Sequence, residues 1–180
     1  MDSFVQLLER GVAIIAPLQA LVAGTCFLVG LVFVARSIVG MASAHELRSI
    51  GGAASGSYTG PLVLFFVGSL LISLSTVIGA FLMSFFLQSE SVSAEQVFTY
   101  APEITKPLSA EMSQRAVIAL VRFAQFIGLL GFVRGLFLLA RAGNGGQVGD
   151  TGRGIVHLVA GTLAINIVVV LQMLEKLLVK

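Results

Sequence analysis

Inside the apolar stretches of this chain, the side chains with chemistry to offer are Arg122, Gln125, His157 and Asn166. Imidazole can ligate a metal, but His45 is the only other histidine, and no carboxylate or cysteine completes a ligand set around either. A lone histidine near a helix start serves instead as an interfacial hydrogen-bonding group. Asn166, nine positions further on, suits a hydrogen bond between helices. Arg122 is the most costly residue to place. It stands twelve positions before Arg134, about 18 Å of helix rise, so each guanidinium can snorkel to its own membrane interface. The other use of Arg122, together with Gln125, is to face a polar lumen or to pair with an acid such as Glu111 or Glu175.

The Gly-rich stretch 142–153, AGNGGQVGDTGR, invites comparison with a phosphate-binding loop. It lacks both the Gly-Lys-Ser/Thr ending and a preceding strand. Its glycines allow a tight turn that places Arg141 and Arg153 at lipid headgroups. The sequence offers no nucleophile beside a base, no paired carboxylates and no metal-ligand cluster, so neither catalysis nor a cofactor or metal is expected.

The elements that carry these residues follow from composition. Of 180 residues, 57% are apolar and 11% charged, with a mean hydropathy of +0.99. A soluble domain carries roughly 25% charged residues. Twenty charged side chains (11 basic, 9 acidic) cannot clothe a soluble surface of this size. A soluble enzyme, a coiled coil, a disordered segment and a sequence-specific nucleic-acid-binding domain are thereby excluded. Cys26 is the only cysteine, which excludes a disulfide framework within the chain. Tryptophan is absent, leaving arginines, Tyr58 and Tyr100 as interfacial anchors.

About 20 apolar residues cross the bilayer core as a helix. Four runs qualify: 11–35, 61–87, 116–140 and 154–174. The first is longer than a secretory signal and follows no basic leader, so it is expected to stay as an uncleaved span. The fold class is therefore an all-α integral membrane protein with four transmembrane helices. Charge orients them, because Lys and Arg stay cytoplasmic. The first connector carries Arg36, Arg48 and His45 against Glu46, and the third carries Arg134, Arg141 and Arg153 against Asp150. The middle one carries Glu90, Glu95, Glu103 and Glu111 against Lys106 and Arg115. Both basic turns are then cytoplasmic, at lipid headgroups or a pore mouth, with the acidic linker and both termini periplasmic. The expected layout is a first transmembrane hairpin over 1–88, an external linker over 89–113 and a second hairpin over 114–180.

The two hairpins look alike. Span one ends Val29-Gly30-Leu31-Val32-Phe33-Val34-Ala35-Arg36, and span three has Ile127-Gly128-Leu129-Leu130-Gly131-Phe132-Val133-Arg134. The return spans contain Gly68-Ser69-Leu70-Leu71-Ile72-Ser73 and Gly161-Thr162-Leu163-Ala164-Ile165-Asn166. Gly aligns with Gly, Ser69 with Thr162, and Ser73 with Asn166. An even number of spans per unit gives both copies one orientation, as in parallel repeats. Small residues at three- or four-residue spacing line helix faces: Gly128, Gly131 and Gly135; Ser69 and Ser73; Ser75 and Gly79; Ala160, Gly161 and Ala164. Such faces let backbones approach closely, either within one bundle or between subunits.

A basic, Gly-rich turn between two apolar helices resembles the hairpin of type IV secretion pilins. The return segment 155–167, IVHLVAGTLAINI, is similar to small polytopic inner-membrane proteins of type IVB secretion and conjugation systems, the DotE/IcmC, DotP/IcmD and TraQ-like group. The resemblance covers the positions His157, Gly161 and Asn166 and the two-hairpin layout. It implies a structural subunit of a bacterial inner-membrane translocation complex, forming or lining a pore or pilus base as a homo-oligomer. Its implied partners are phospholipids and other secretion-complex subunits. Pilin hairpins are single and follow a cleaved leader, whereas this chain is doubled, which favours a pore or base over an extruded pilus. Two other classes stand beside this one: a small passive channel or transporter for an uncharged solute, and a holin-like pore former. Ion-coupled transport is disfavoured because no acidic residue lies within any expected span.

Overall fold

A hydrocarbon layer gives the backbone nothing to bond to, so a spanning chain must satisfy its amides internally, and helices do this. The computed structural model describes residues 2–49, 58–86, 111–147, 149–167 and 169–170. All regular structure among them is helical: α1 Asp2–Ser49, α2 Thr59–Ile72, α3 Leu74–Phe86, α4 Glu111–Gly143 and α5 Asp150–Ile165. Among the described residues two stretches are long and apolar enough to cross a membrane, Ala13–Ala44 of α1 and Ala119–Gly143 of α4. A third is present if α2 and α3 count as one broken span. α5 is 16 residues long as described, and residues 171–180 of the expected fourth span lie outside the described set.

Three expectations change. Residues 61–87 read as one uninterrupted span, but the helix breaks at Ser73 with a bend of 92°. The hydroxyls of Ser69 and Ser73 donate back to the carbonyls of Phe65 (3.0 Å) and Ser69 (2.9 Å). Back-bonding of this kind bends helices, and the Ser73 backbone, at φ −101° and ψ 35°, has left the helical region. Second, Arg36 and Arg48 lie on α1, not in a turn after it. The stretch 37–49 holds one glycine and no proline, so nothing stops the helix where the first charge falls. Third, Arg134 and Arg141 lie within α4 and Arg153 within α5, leaving only 144–149 between the two helices. The acidic linker 89–113 falls almost entirely outside the described residues.

Close packing sorts the chain into two compact units. The first comprises Met1–Val22, Ser75–Phe132 and Val159–Lys180. Its apolar core includes Ile78, Leu82, Leu129, Phe132 and Ile165, and the rings of Phe81 and Phe132 meet edge to face at 5.4 Å. The second comprises Ala23–Leu74 and Val133–Leu158, with Cys26, Leu64, Val67, Leu71 and Leu136 buried and Phe33 against Phe137 at 5.9 Å. Each unit draws on segments of both expected hairpins.

Candidate functional site

With no hydrophobic drive between helices in lipid, close backbone packing must hold them. Glycine makes this possible where two helices cross. In the second unit, a methyl group at Gly30 would stand 2.7 Å from the Gly68 carbonyl oxygen, and one at Gly68 would stand 2.9 Å from the Gly30 carbonyl. In the first unit, a methyl at Gly161 would stand 2.8 Å from the Gly128 carbonyl, and one at Gly128 2.7 Å from the Ile165 amide nitrogen. The aligned glycines of the two hairpins thus cross in the same pairing, Gly30 with Gly68 and Gly128 with Gly161. Gly135 has a third tight approach, to the Gly154 carbonyl and to Leu158.

The small residues expected on helix faces divide on inspection. Gly128, Gly135 and Gly161 are buried at crossings, Ala164 packs against Gly128, and Gly131 lies in ordinary contact with Gly161. Gly79 is buried, whereas Ser75 and Ala160 are exposed. Gly30, Gly68 and Gly154 belong with the crossing residues. The first two stand out in the alignment of the two hairpins, but Gly154 has no spacing signal.

The matched residues Ser73 and Asn166 also share a backbone role. Both interrupt their helix five residues after the crossing glycine, and each amide still reaches the carbonyl four residues back: Ser73 to Ser69 at 3.1 Å, Asn166 to Thr162 at 3.2 Å. Their side chains differ. Ser73 is exposed and its hydroxyl is satisfied by the Ser69 carbonyl, while Asn166 is 2% exposed and its Nδ2 has no hydrogen-bond partner among the described residues. Gln125 and Thr162 are likewise buried in the first unit, and Arg122 is half-buried with its Nε shielded and unpartnered. The three intramembrane polar residues Arg122, Gln125 and Asn166 therefore belong to one unit. His157 belongs to the other. Its Nδ1 lies 2.8 Å from the Arg153 carbonyl. That carbonyl accepts, so the bond places the ring proton on Nδ1.

The turn between α4 and α5 is ordered by its own sequence. Gly145 (φ +80°) and Gly149 (φ +102°) adopt the left-handed conformation that disfavours side chains. The Gly146 amide reaches back to the Arg141 carbonyl at 2.9 Å, the long bond of a Schellman helix end. Asp150, 3% exposed, accepts from the Gln147 amide at 3.1 Å and faces Arg141 Nε at 3.5 Å. Arg141 is thus partly engaged by its own chain. Arg36, Arg134 and Arg153 are exposed, and the side chain of Arg48 lies outside the described set. Among the described residues no group of three or more His, Cys, Asp or Glu could hold a metal ion.

No protein-family model, no curated protein and no solved structure matches this chain significantly. The class of the molecule accordingly rests on its own sequence and geometry: an all-helical chain whose apolar helices suit a membrane.

Proposed function

We propose that the chain is a structural subunit of a bacterial inner-membrane translocation complex of the type IV secretion and conjugation kind, in which copies assemble side by side to line a pore or base. The observation that carries the assembly is the bareness of α1. Only 11% of its apolar stretch is buried within the chain, against 44% for α4. Its outer face presents small residues, including Ala13, Ala20 and Gly24, and Gly24 has nothing within 4 Å of where a side chain would begin. Faces of this composition suit close packing against another helix. The secretion assignment rests on the similarity of the 155–167 segment to the type IVB inner-membrane proteins.

In this reading α2 with α3 makes one broken span and α5 with the residues that follow makes the fourth. The C-terminal parts of α1 and α4 and the start of α5, which carry Arg36, Arg48, Arg134, Arg141 and Arg153, face the cytoplasm and meet phospholipid headgroups, with both termini and 89–113 periplasmic. The test is the particle formed in mild detergent. A closed ring or a helical array of one size supports the proposal, whereas a monomer with α1 bathed in detergent removes it. Solute flux through liposomes containing the protein alone, abolished by Asn166→Leu, would favour the passive-channel class instead.

A further inference from the structure

In the second unit the crossing of α4 and α5 is symmetric. A methyl at Gly135 would stand 2.9 Å from the Gly154 carbonyl oxygen, and one at Gly154 would stand 3.2 Å from the Gly135 carbonyl oxygen. Each glycine also meets the leucine four residues past the other, Leu158 and Leu139. The two helices therefore run antiparallel about a local two-fold axis between these glycines. Residues at equal offsets from the two glycines then fall on the same flank of the pair. Arg134 and Arg153 each stand one residue before their glycine, and both are exposed. With 3.8 Å between successive α-carbons, the crossing holds these two backbone positions within about 14 Å, a gap their side chains can close from both ends. Arg141, 63% exposed, lies seven residues past Arg134, about two turns along the same stripe of α4.

Arg134 needs an anion, and the described helices bring none to its depth. It lies nine residues inside the end of the apolar stretch Ala119–Gly143, about 14 Å of helix, where a bare guanidinium is costly. The second unit contains two acids, Glu46 and Asp150. Asp150 is buried and already occupied by the Gln147 amide and Arg141 Nε. Glu46 stands on α1 thirteen residues past Phe33, about 20 Å of helix, whereas the Phe33 ring meets Phe137, three residues from Arg134. In the first unit, Glu9 precedes Gly11, which meets the Phe123 ring. Phe123 is eleven residues from Arg134 on α4, about 16 Å, and Glu111 is twice as far back on that helix. Neither Arg134 nor Arg153 takes part in an ion pair through its side chain among the described residues.

An exposed guanidinium at that depth is met by lipid, so its anion arrives on a lipid. A phosphodiester carries two free oxygens, one for each of two guanidiniums, and a headgroup without an ammonium adds no repulsion from the arginines. We propose that Arg134 and Arg153 form a clamp for the phosphate of one acidic phospholipid on the flank of the α4–α5 pair, with Arg141 beside it. The clamp rests on the reading of these arginines as headgroup contacts and deepens it, since it singles out two of them. It is complete within one chain and does not depend on assembly.

The experiment is native mass spectrometry of the purified full chain in neutral detergent, with phosphatidylglycerol or phosphatidylcholine added. The wild type retains a single phosphatidylglycerol at concentrations where phosphatidylcholine is lost. Arg134→Gln and Arg153→Gln, with helix content unchanged by circular dichroism, each raise the lipid concentration for half occupancy about tenfold. The double variant loses less than the product of the two, because both arginines serve one phosphate. Arg10→Gln, which removes an exposed arginine of the first unit, leaves retention unchanged. Equal retention of the two lipids overturns the proposal, as does a loss at Arg10 that matches the loss at Arg134. Losses at Arg134 and Arg153 that simply multiply overturn it too, since the two would then act apart. A monomer that keeps phosphatidylglycerol leaves the clamp standing while removing the pore subunit, and a ring indifferent to headgroup does the reverse.

Discussion

A methyl group is the smallest addition that can be made at a helix crossing, and here it separates glycines that serve packing from those that do not. At Gly30, Gly68, Gly128 and Gly161 it would come closer than 3.0 Å to the backbone of the partner helix. Backbone cannot rotate aside, so the helices must part, at about 1–3 kcal/mol per site. At Gly24 and Gly152 nothing lies within 4 Å, and alanine is the better helix former by about 1 kcal/mol. Alanine at the four crossing glycines therefore lowers the thermal midpoint in detergent, while alanine at the two open ones leaves it unchanged or raises it. Asp150 offers a second contrast. Replacing it with alanine removes a buried acceptor from the Gln147 amide and costs about 1–3 kcal/mol. Arg141→Ala costs well under 1 kcal/mol, because that side chain is 63% exposed and its ion pair is screened. Chemical denaturation of the two variants orders them. From the sequence alone, the glycines could be recognised as small faces, but spacing does not say which face meets a helix and which meets lipid. Asp150 looked like one acid among basic neighbours, and its burial arises only once Gly145 and Gly149 have turned the chain back.

At the scale of elements, apolar runs located the helices well and their ends poorly. Arg122 and Arg134 fall inside α4 because a helix does not stop at a charge that can snorkel. The same reasoning carries α1 past Arg36 to Ser49. The break at Ser73 could not be read from hydropathy, since the residues on both sides of it are equally apolar. Its matched partner, Asn166, aligned in sequence, yet the alignment did not show that both positions interrupt a helix. That agreement joins two residues of different chemistry through one backbone event. Cysteine labelling tests the orientation, and the chain is well suited to it. Its only cysteine, Cys26, is buried, so a cysteine introduced on the surface reports alone. Cysteine at Gln147, which is exposed in the turn, is expected to react with an impermeant maleimide only from the cytoplasmic side, and cysteine at Glu95 only from the periplasmic side. Labelling of both positions from one side would require an even number of spans between them in place of the single one expected.

For the whole molecule, the composition that excludes a soluble protein also limits what a single copy can accomplish. The helices bury polar residues inside, at Gln125, Thr162 and Asn166, and leave Leu28, Leu31 and Ile38 of α1 exposed together with Ala13, Ala20 and Gly24. Lipid accepts large apolar side chains and small ones alike, so exposure by itself does not require a neighbour. The distinction lies in what a bulky residue does there. Gly24 is exposed and nothing lies within 4 Å of where its side chain would begin, so Gly24→Leu is expected to leave the helices of a single copy packed as before. If α1 faces only lipid, the particle in detergent keeps its size and its melting behaviour. If α1 lies against a second copy, the added bulk forces the two backbones apart, and the same variant yields smaller particles whose individual chains retain their helix content. Native mass spectrometry read beside circular dichroism separates these cases. The expected result is a loss of subunits at constant helicity, because the small residues of α1 are then the means by which one copy approaches the next.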